Sequence, residues 1–147
     1  HTITFSRHGG LYFPEKVESY LEKHYLPKGN CLEFEIKFDS AATEELLYIL
    51  EHNFHFSDAN AVSINGNTLG EEGEIESCCS VEITDHFLGK IITIALDQPF
   101  TLNYFKLKTL SQSEQGFDLS VQGVSLGMAV RFRGHFNLKG KLEINDV

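Results

Sequence analysis

The chain has 147 residues, enough for one domain spanning 1–147 and for a core that needs no disulfide or metal to hold it. Its net charge of −9 argues against nucleic acid and anionic membranes as partners. No apolar run approaches the roughly 18 residues of a membrane span, and nothing at the front reads as a signal peptide.

Taken in chain order, Thr2 to Phe5 alternates like a short strand, and His8-Gly9-Gly10 breaks it. Pro14 to Tyr25 predicts a helix. Pro14 suits a first helical position, and Val17, Tyr20, Leu21 and His24 fall at helical spacing on one stripe. Pro27-Lys28-Gly29-Asn30 ends it. Cys31 to Phe38 is a strand of clean alternation: Leu32, Phe34, Ile36 and Phe38 point one way, Glu33, Glu35 and Lys37 the other. One wet face and one dry face are the antiparallel habit. A second helix is expected over Ala41 to Asn53, capped by Asp39 or Ser40, with Leu46, Ile49, Leu50 and Asn53 along its inner face.

From residue 61 the pattern turns to strand and turn. Val62 to Ile64 runs into Asn65-Gly66, a tight-turn signal. Glu71 to Ser77 reads as a charged loop. Strands follow at Ser80–Thr84, Lys90–Leu96, Thr101–Leu110, Phe117–Leu126, Met128–Arg133 and His135–Ile144, with Gly140 as a bulge position. The connections are too short for crossover helices. The expected fold is therefore α+β: two N-terminal helices packed on a mainly antiparallel sheet of about eight strands. An all-β sandwich with peripheral helices is the alternative.

No cofactor motif appears: there is no phosphate-binding glycine loop, no Gly-x-Ser-x-Gly elbow and no diagnostic carboxylate pair. His52, His55 and Asp58 form the best metal candidate by spacing. A chance pair among seven histidines explains them as well, and no metal is assigned. Cys31, Cys78 and Cys79 are odd in number, and adjacent cysteines rarely bridge each other, which points to reduced thiols and a cytoplasmic setting. Alternation puts Cys78 and Cys79 on opposite faces, with His86 the nearest candidate partner for a thiol.

The charge is uneven. Residues 1–100 carry 6 basic and 17 acidic side chains, and residues 101–147 carry 6 basic and 4 acidic. Glu71, Glu72, Glu74 and Glu76 concentrate the acidity. They are the candidate surface for a basic protein partner, with Asp58 and Asp85 as helpers.

Two resemblances follow from short segments. His135-Phe136-Asn137-Leu138-Lys139 resembles a strand of β-galactoside lectins, which implies a carbohydrate-binding module, although the Pro-Arg part and the stacking tryptophan of those lectins are missing. Phe56-Ser57-Asp58-Ala59 within Phe56–Ile64 resembles the Phe-His-Asp-Ala element of some bacterial immunity proteins, with Ser57 where the family has His. That resemblance implies a non-enzymatic inhibitor of a basic, nuclease-like toxin, and it is the main functional expectation. The carbohydrate- or ligand-binding sandwich is the first alternative. An enzyme with scattered active-site residues is the second.

Overall fold

The computed structural model describes residues 1–113 and 116–147. Among the described residues ten strands run in chain order: β1 (Ile3–Phe13), β2 (Glu15–Lys28), β3 (Cys31–Ser40), β4 (Glu45–Phe54), β5 (Val62–Ile64), β6 (Asn67–Thr68), β7 (Glu72–Asp85), β8 (Lys90–Ser113), β9 (Gly116–Arg133) and β10 (Phe136–Asp146). A 3-10 turn, Ala59–Ala61, precedes β5. Every ladder is antiparallel, and among the described residues there is no α-helix.

The strands make one hydrogen-bonded sheet folded into two layers. The first layer runs β1-β2-β3-β10-β8-β7-β5-β6, and β9 carries the sheet from β8 to β4. The fold-over happens in the β7–β8 hairpin. Lys90–Leu96 of β8 pairs with β10, whereas Thr101–Ser113 pairs with β9. Between these stretches the register against β7 slips on both sides of Cys78. Ser77 there takes a left-handed φ of 56°. Pro99, which has no amide hydrogen to give a ladder, sits opposite this irregularity. Bulges of this kind bend strands from one sheet to another.

The core lies between the layers. Phe34, Ile36, Leu138, Ile94, Val81 and Ile83 come from the first layer, and Leu50, Leu102, Val124, Leu126, Met128 and Val130 from the second. Rings cross the gap without any ladder between their strands: Phe38 on Phe132 at 5.4 Å, Tyr48 on Phe136 at 5.4 Å and Phe34 on His52 at 6.2 Å.

This architecture corrects the two-helix expectation. The stretch expected as the first helix is β2, held on both sides, by β1 and by β3. Its periodicity misled because both of its faces are half-covered. Leu21 and Tyr25 pack on the core, while Tyr20, Glu22 and His24 form a hydrogen-bonded row on the other face. The second expected helix is β4 from Glu45 on. Leu46 and Leu50 point inward, but Leu47 and Ile49 are exposed apolar residues on the outer face. Those two outward residues filled in an alternating pattern until it looked helical.

Smaller corrections follow. Glu72–Ser77 belongs to β7 and is not a loop. Gly127 continues β9 without a turn. Gly140 pairs regularly with Phe34 and Leu96, and no register slips there. The reason for glycine is space: a Cβ would stand 2.4 Å from the Phe34 ring and 2.7 Å from the Leu96 side chain. The Asn65-Gly66 turn stands as expected, with φ of 48° and 77° joining β5 to β6.

Candidate functional site

The outer face of the first layer carries an open furrow of about 700 Å³ across β2, β3, β10 and β8. Alternation along β3 turns Glu33, Glu35 and Lys37 outward while Phe34 and Ile36 stay in the core. Register then sets the rows. His24, Glu35 and Lys139 align across three strands, and Leu26, Glu33, Lys141 and Ala95 make the next row.

The side chains in the furrow hold one another. Glu35 sits between Lys37 at 3.3 Å and Lys139 at 3.8 Å. Burial works to raise its pKa, but the hydrogen bonds of Lys37 and Asn137 and the two ammonium charges outweigh that and hold the carboxyl below the usual range. Asp97 Oδ1 accepts the Lys139 amide at 2.9 Å, and Gln98 Nε2 donates to the Asn137 carbonyl at 2.6 Å. At the β2 rim, His24 Nε2 pairs with Glu22 at 2.6 Å, and Tyr20 donates to the same carboxylate at 2.9 Å. These two hydrogen bonds, that of His24 first, hold Glu22 below its ordinary value. Thr4 Oγ1 lies 3.0 Å from His24 Nδ1.

The furrow thus presents Glu33, Glu35 and Asp97 against Lys37, Lys139 and Lys141, donors and acceptors in balanced number over the lysine stems, Leu26 and Ala95. Such a surface suits a neutral ligand with many hydroxyl groups, each both donor and acceptor, better than a polyanion. Sequence reading missed it because its residues are the ordinary outward half of strands, joined only by register.

The sequence-expected residues lie elsewhere. Glu71 is held by Lys106 at 3.2 Å and by Lys108, whose hydrogen bonds pull its carboxyl below the usual range. Glu74 and Glu76 line a second furrow of about 590 Å³ with Leu47, Thr101 and Arg131. Glu72 is exposed opposite Phe105. Asp58 caps the 3-10 turn through the Asn60 amide at 2.9 Å. Asp85 is buried and accepts the Phe87 and Leu88 amides at 2.9 and 3.0 Å. The six carboxylates therefore do not gather into one patch: two serve turns, and one is answered by the protein's own lysines.

No cluster of three His, Cys, Asp or Glu that could hold a metal occurs among the described residues. His55 Nδ1 donates to the Gln122 carbonyl at 2.6 Å, whereas His52 is turned inward between Phe34 and Phe54. All three cysteines are free; Cys78 is buried and Cys79 exposed, as alternation expects. Burial, and then neighbouring Cys79, pushes the Cys78 thiol up despite the Leu102 backbone hydrogen bond. His86 Nε2 meets Ser63 Oγ at 3.0 Å, and the six residues between Cys79 and His86 span roughly 20 Å of extended strand. His135 is exposed on Asp39 at 2.9 Å; of the lectin-like segment, Lys139 reaches the furrow.

His52 carries a prediction. Its Nδ1 is buried without a hydrogen-bond partner, and burial pulls its pKa below the ordinary value. The unfolded chain then binds a proton before the folded one does. Stability is complete above about pH 6.5 and falls as pH drops through that value toward the lowered folded one. Urea midpoints at about pH 7.5 and about pH 5 should differ more for the native chain than for His52→Phe. Equal differences would assign the acid sensitivity elsewhere.

Fold and furrow define an all-antiparallel two-layer β module with an open, furrowed face. The family model described as "Alpha-amylase/4-alpha-glucanotransferase, C-terminal" matches residues 1–144, and the chain belongs to that family. Among solved structures it is similar to a 4-alpha-glucanotransferase from Thermococcus litoralis, with TM-score 0.80 and 23% identity over 99% of this chain and 21% of that one. The Slr1438 protein from Synechocystis sp. PCC 6803 is similar at TM-score 0.61 and 10% identity, over 99% of this chain and 62% of that one. HI1317 is similar at TM-score 0.52 and 13% identity, over 86% of this chain and 61% of that one. At these identities the likenesses speak for the fold. The chain spans about a fifth of the glucanotransferase it matches. No curated protein matches.

The family match overturns the immunity-protein resemblance and, with it, the basic toxin as partner. The Phe56–Asp58 segment that carried it has a local explanation: Phe56 is buried in the core and Asp58 caps a turn. Among the described residues no helix is long and apolar enough to cross a membrane.

Proposed function

We propose that residues 1–147 form one non-catalytic β module of a glucan-processing enzyme, and that the furrow over β2, β3, β10 and β8 holds a stretch of α-glucan chain. One observation carries this reading: a charge-balanced row of fixed donors and acceptors, centred on Glu35, Lys37 and Lys139, on a chain that the family model matches over residues 1–144. Carboxylates accept from neighbouring sugar hydroxyls, and ammonium groups donate to them. The lysine stems and Leu26 cover the apolar ring faces. The furrow is shallow and open, so it suits a polymer passing through. The three free thiols fit a reducing compartment such as the cytoplasm.

The test is affinity electrophoresis through gels containing amylose, with calorimetry on maltoheptaose. The native chain should be retarded. Glu35→Ala with Lys37→Ala should weaken binding by tenfold or more, since hydrogen bonds to charged groups contribute about 1.5–3 kcal/mol each. An unchanged unfolding midpoint would assign the loss to the furrow. Native chain that migrates freely would sink the glucan reading, and new oligosaccharides formed from maltoheptaose would sink the non-catalytic one.

A further inference from the structure

The second layer runs on past the sandwich. The β7–β8 ladder stops at Glu72 opposite Phe105, closed by the Lys106 amide on the Glu71 carbonyl at 2.9 Å. On the other side, β9 joins β4 only from Val124, opposite Phe54. From Leu107 to Gly123, β8 and β9 therefore form a two-stranded ribbon with no third strand beside it among the described residues. Register sets Lys108 opposite Val121, Leu110 opposite Leu119 and Gln112 opposite Phe117. Cross-strand partners and residues two apart share a face. Leu110, Phe117, Leu119 and Val121 consequently lie together, exposed by 64%, 74%, 58% and 36%.

A lone two-stranded ribbon is marginal in water, and a contiguous apolar patch marks an interaction surface. The charges at its base are already used, since Lys106 and Lys108 both bind Glu71. Beyond Lys108 the ribbon sequence carries only Glu114 and Asp118. Apart from Lys108 at the base, engaged by Glu71, and the uncharged Gln112, what approaches this face meets carbon.

We infer that the ribbon is a docking arm that lays Leu110, Phe117 and Leu119 into an apolar cleft on the catalytic part of the enzyme to which this module belongs. The inference rests on the accessory-module reading above. The occupant is chosen from the amount of chain beyond the module: the match covers 21% of the Thermococcus litoralis chain, so most of such an enzyme lies outside it. The ribbon supplies a mainly apolar face on a strand pair, which an apolar protein cleft covers and a hydrated glucan does not.

The test places a photoreactive phenylalanine at position 117 of the full-length polypeptide, with crosslinked peptides mapped by mass spectrometry. Crosslinks should run to residues outside these 147, in the same polypeptide or in a separate enzyme subunit. They should be lost when Leu110→Asp and Leu119→Asp are added. If that double variant fails to fold, the probe moves to position 119 and Phe117→Ser replaces it, with the same loss expected. Crosslinks confined to a second copy of the ribbon, or no crosslinks at all, would overturn the docking arm. Retention on amylose gels is read on the same samples. Arm variants should keep native retention, so loss of the arm and loss of the glucan furrow give different patterns.

Discussion

Leu102→Ala should lower the stability of this fold by about 2–5 kcal/mol, among the largest effects of any single truncation in the chain. Leu102 is fully buried, on the stretch of β8 that has just crossed from the first layer to the second. It sits between Ile75 of β7 and Met128 of β9 in the ladder. Removing its side chain leaves a cavity beside the corner where one strand serves both sheets. The corner cannot collapse freely, because Ser77, Cys78 and Pro99 already fix an irregular register there. The matching control is Leu110→Ala on the exposed arm, expected within about 0.5 kcal/mol in the isolated chain. Urea unfolding of both variants checks the pair. A Leu102 loss no larger than that of Leu110 would mean that the two layers do not pack through β8.

Asp85→Ala should cost about 1–3 kcal/mol, because it strips the acceptor from two turn amides at once. Asp85 Oδ1 accepts from Phe87 and Leu88 and so shapes the tight β7–β8 turn around Gly89, whose φ is 62°. Asp85→Asn keeps an oxygen in the same place and should retain most of the stability. Were the carboxylate there for a charged partner, alanine and asparagine would behave alike and folding would barely change. Thermal unfolding of the two variants separates these outcomes.

How far the sequence could be read depended on where the neighbours lie. The β3 alternation at Leu32–Phe38 was legible because one face is dry and the other wet, so polarity reports orientation directly. Asn65-Gly66 was legible because a two-residue turn with both φ positive leaves few other choices. β2 and β4 were not. In β2 both faces are partly covered, and in β4 the outward Leu47 and Ile49 add apolar residues where alternation expects polar ones. Period two is then erased and a helical stripe takes its place. Gly140 was read as a bulge because only the packed structure shows the Phe34 ring lying where a Cβ would be.

The functional residues divide in the same way. The glutamates of residues 71–76 attracted notice as a run, but a run gives no partners. Lys106 and Lys108, more than thirty residues away, decide that Glu71 is answered inside the chain. Asp58 and Asp85 were visible as acids, and their roles as turn acceptors were not.

By itself, the sequence determined an antiparallel β-rich chain with free thiols and an acidic N-terminal two-thirds. Composition, cysteine count and strand alternation are local properties, which is why they could be read there. Only the tertiary structure decided that two helix-like stretches are strands and that Glu35, Lys37, Asp97 and Lys139 share a furrow. It also decided that Leu110, Phe117 and Leu119 share an uncovered face. The physical reason is register: which outward side chains become neighbours depends on hydrogen-bonded pairings between residues far apart in the chain, such as Glu35 with Lys139.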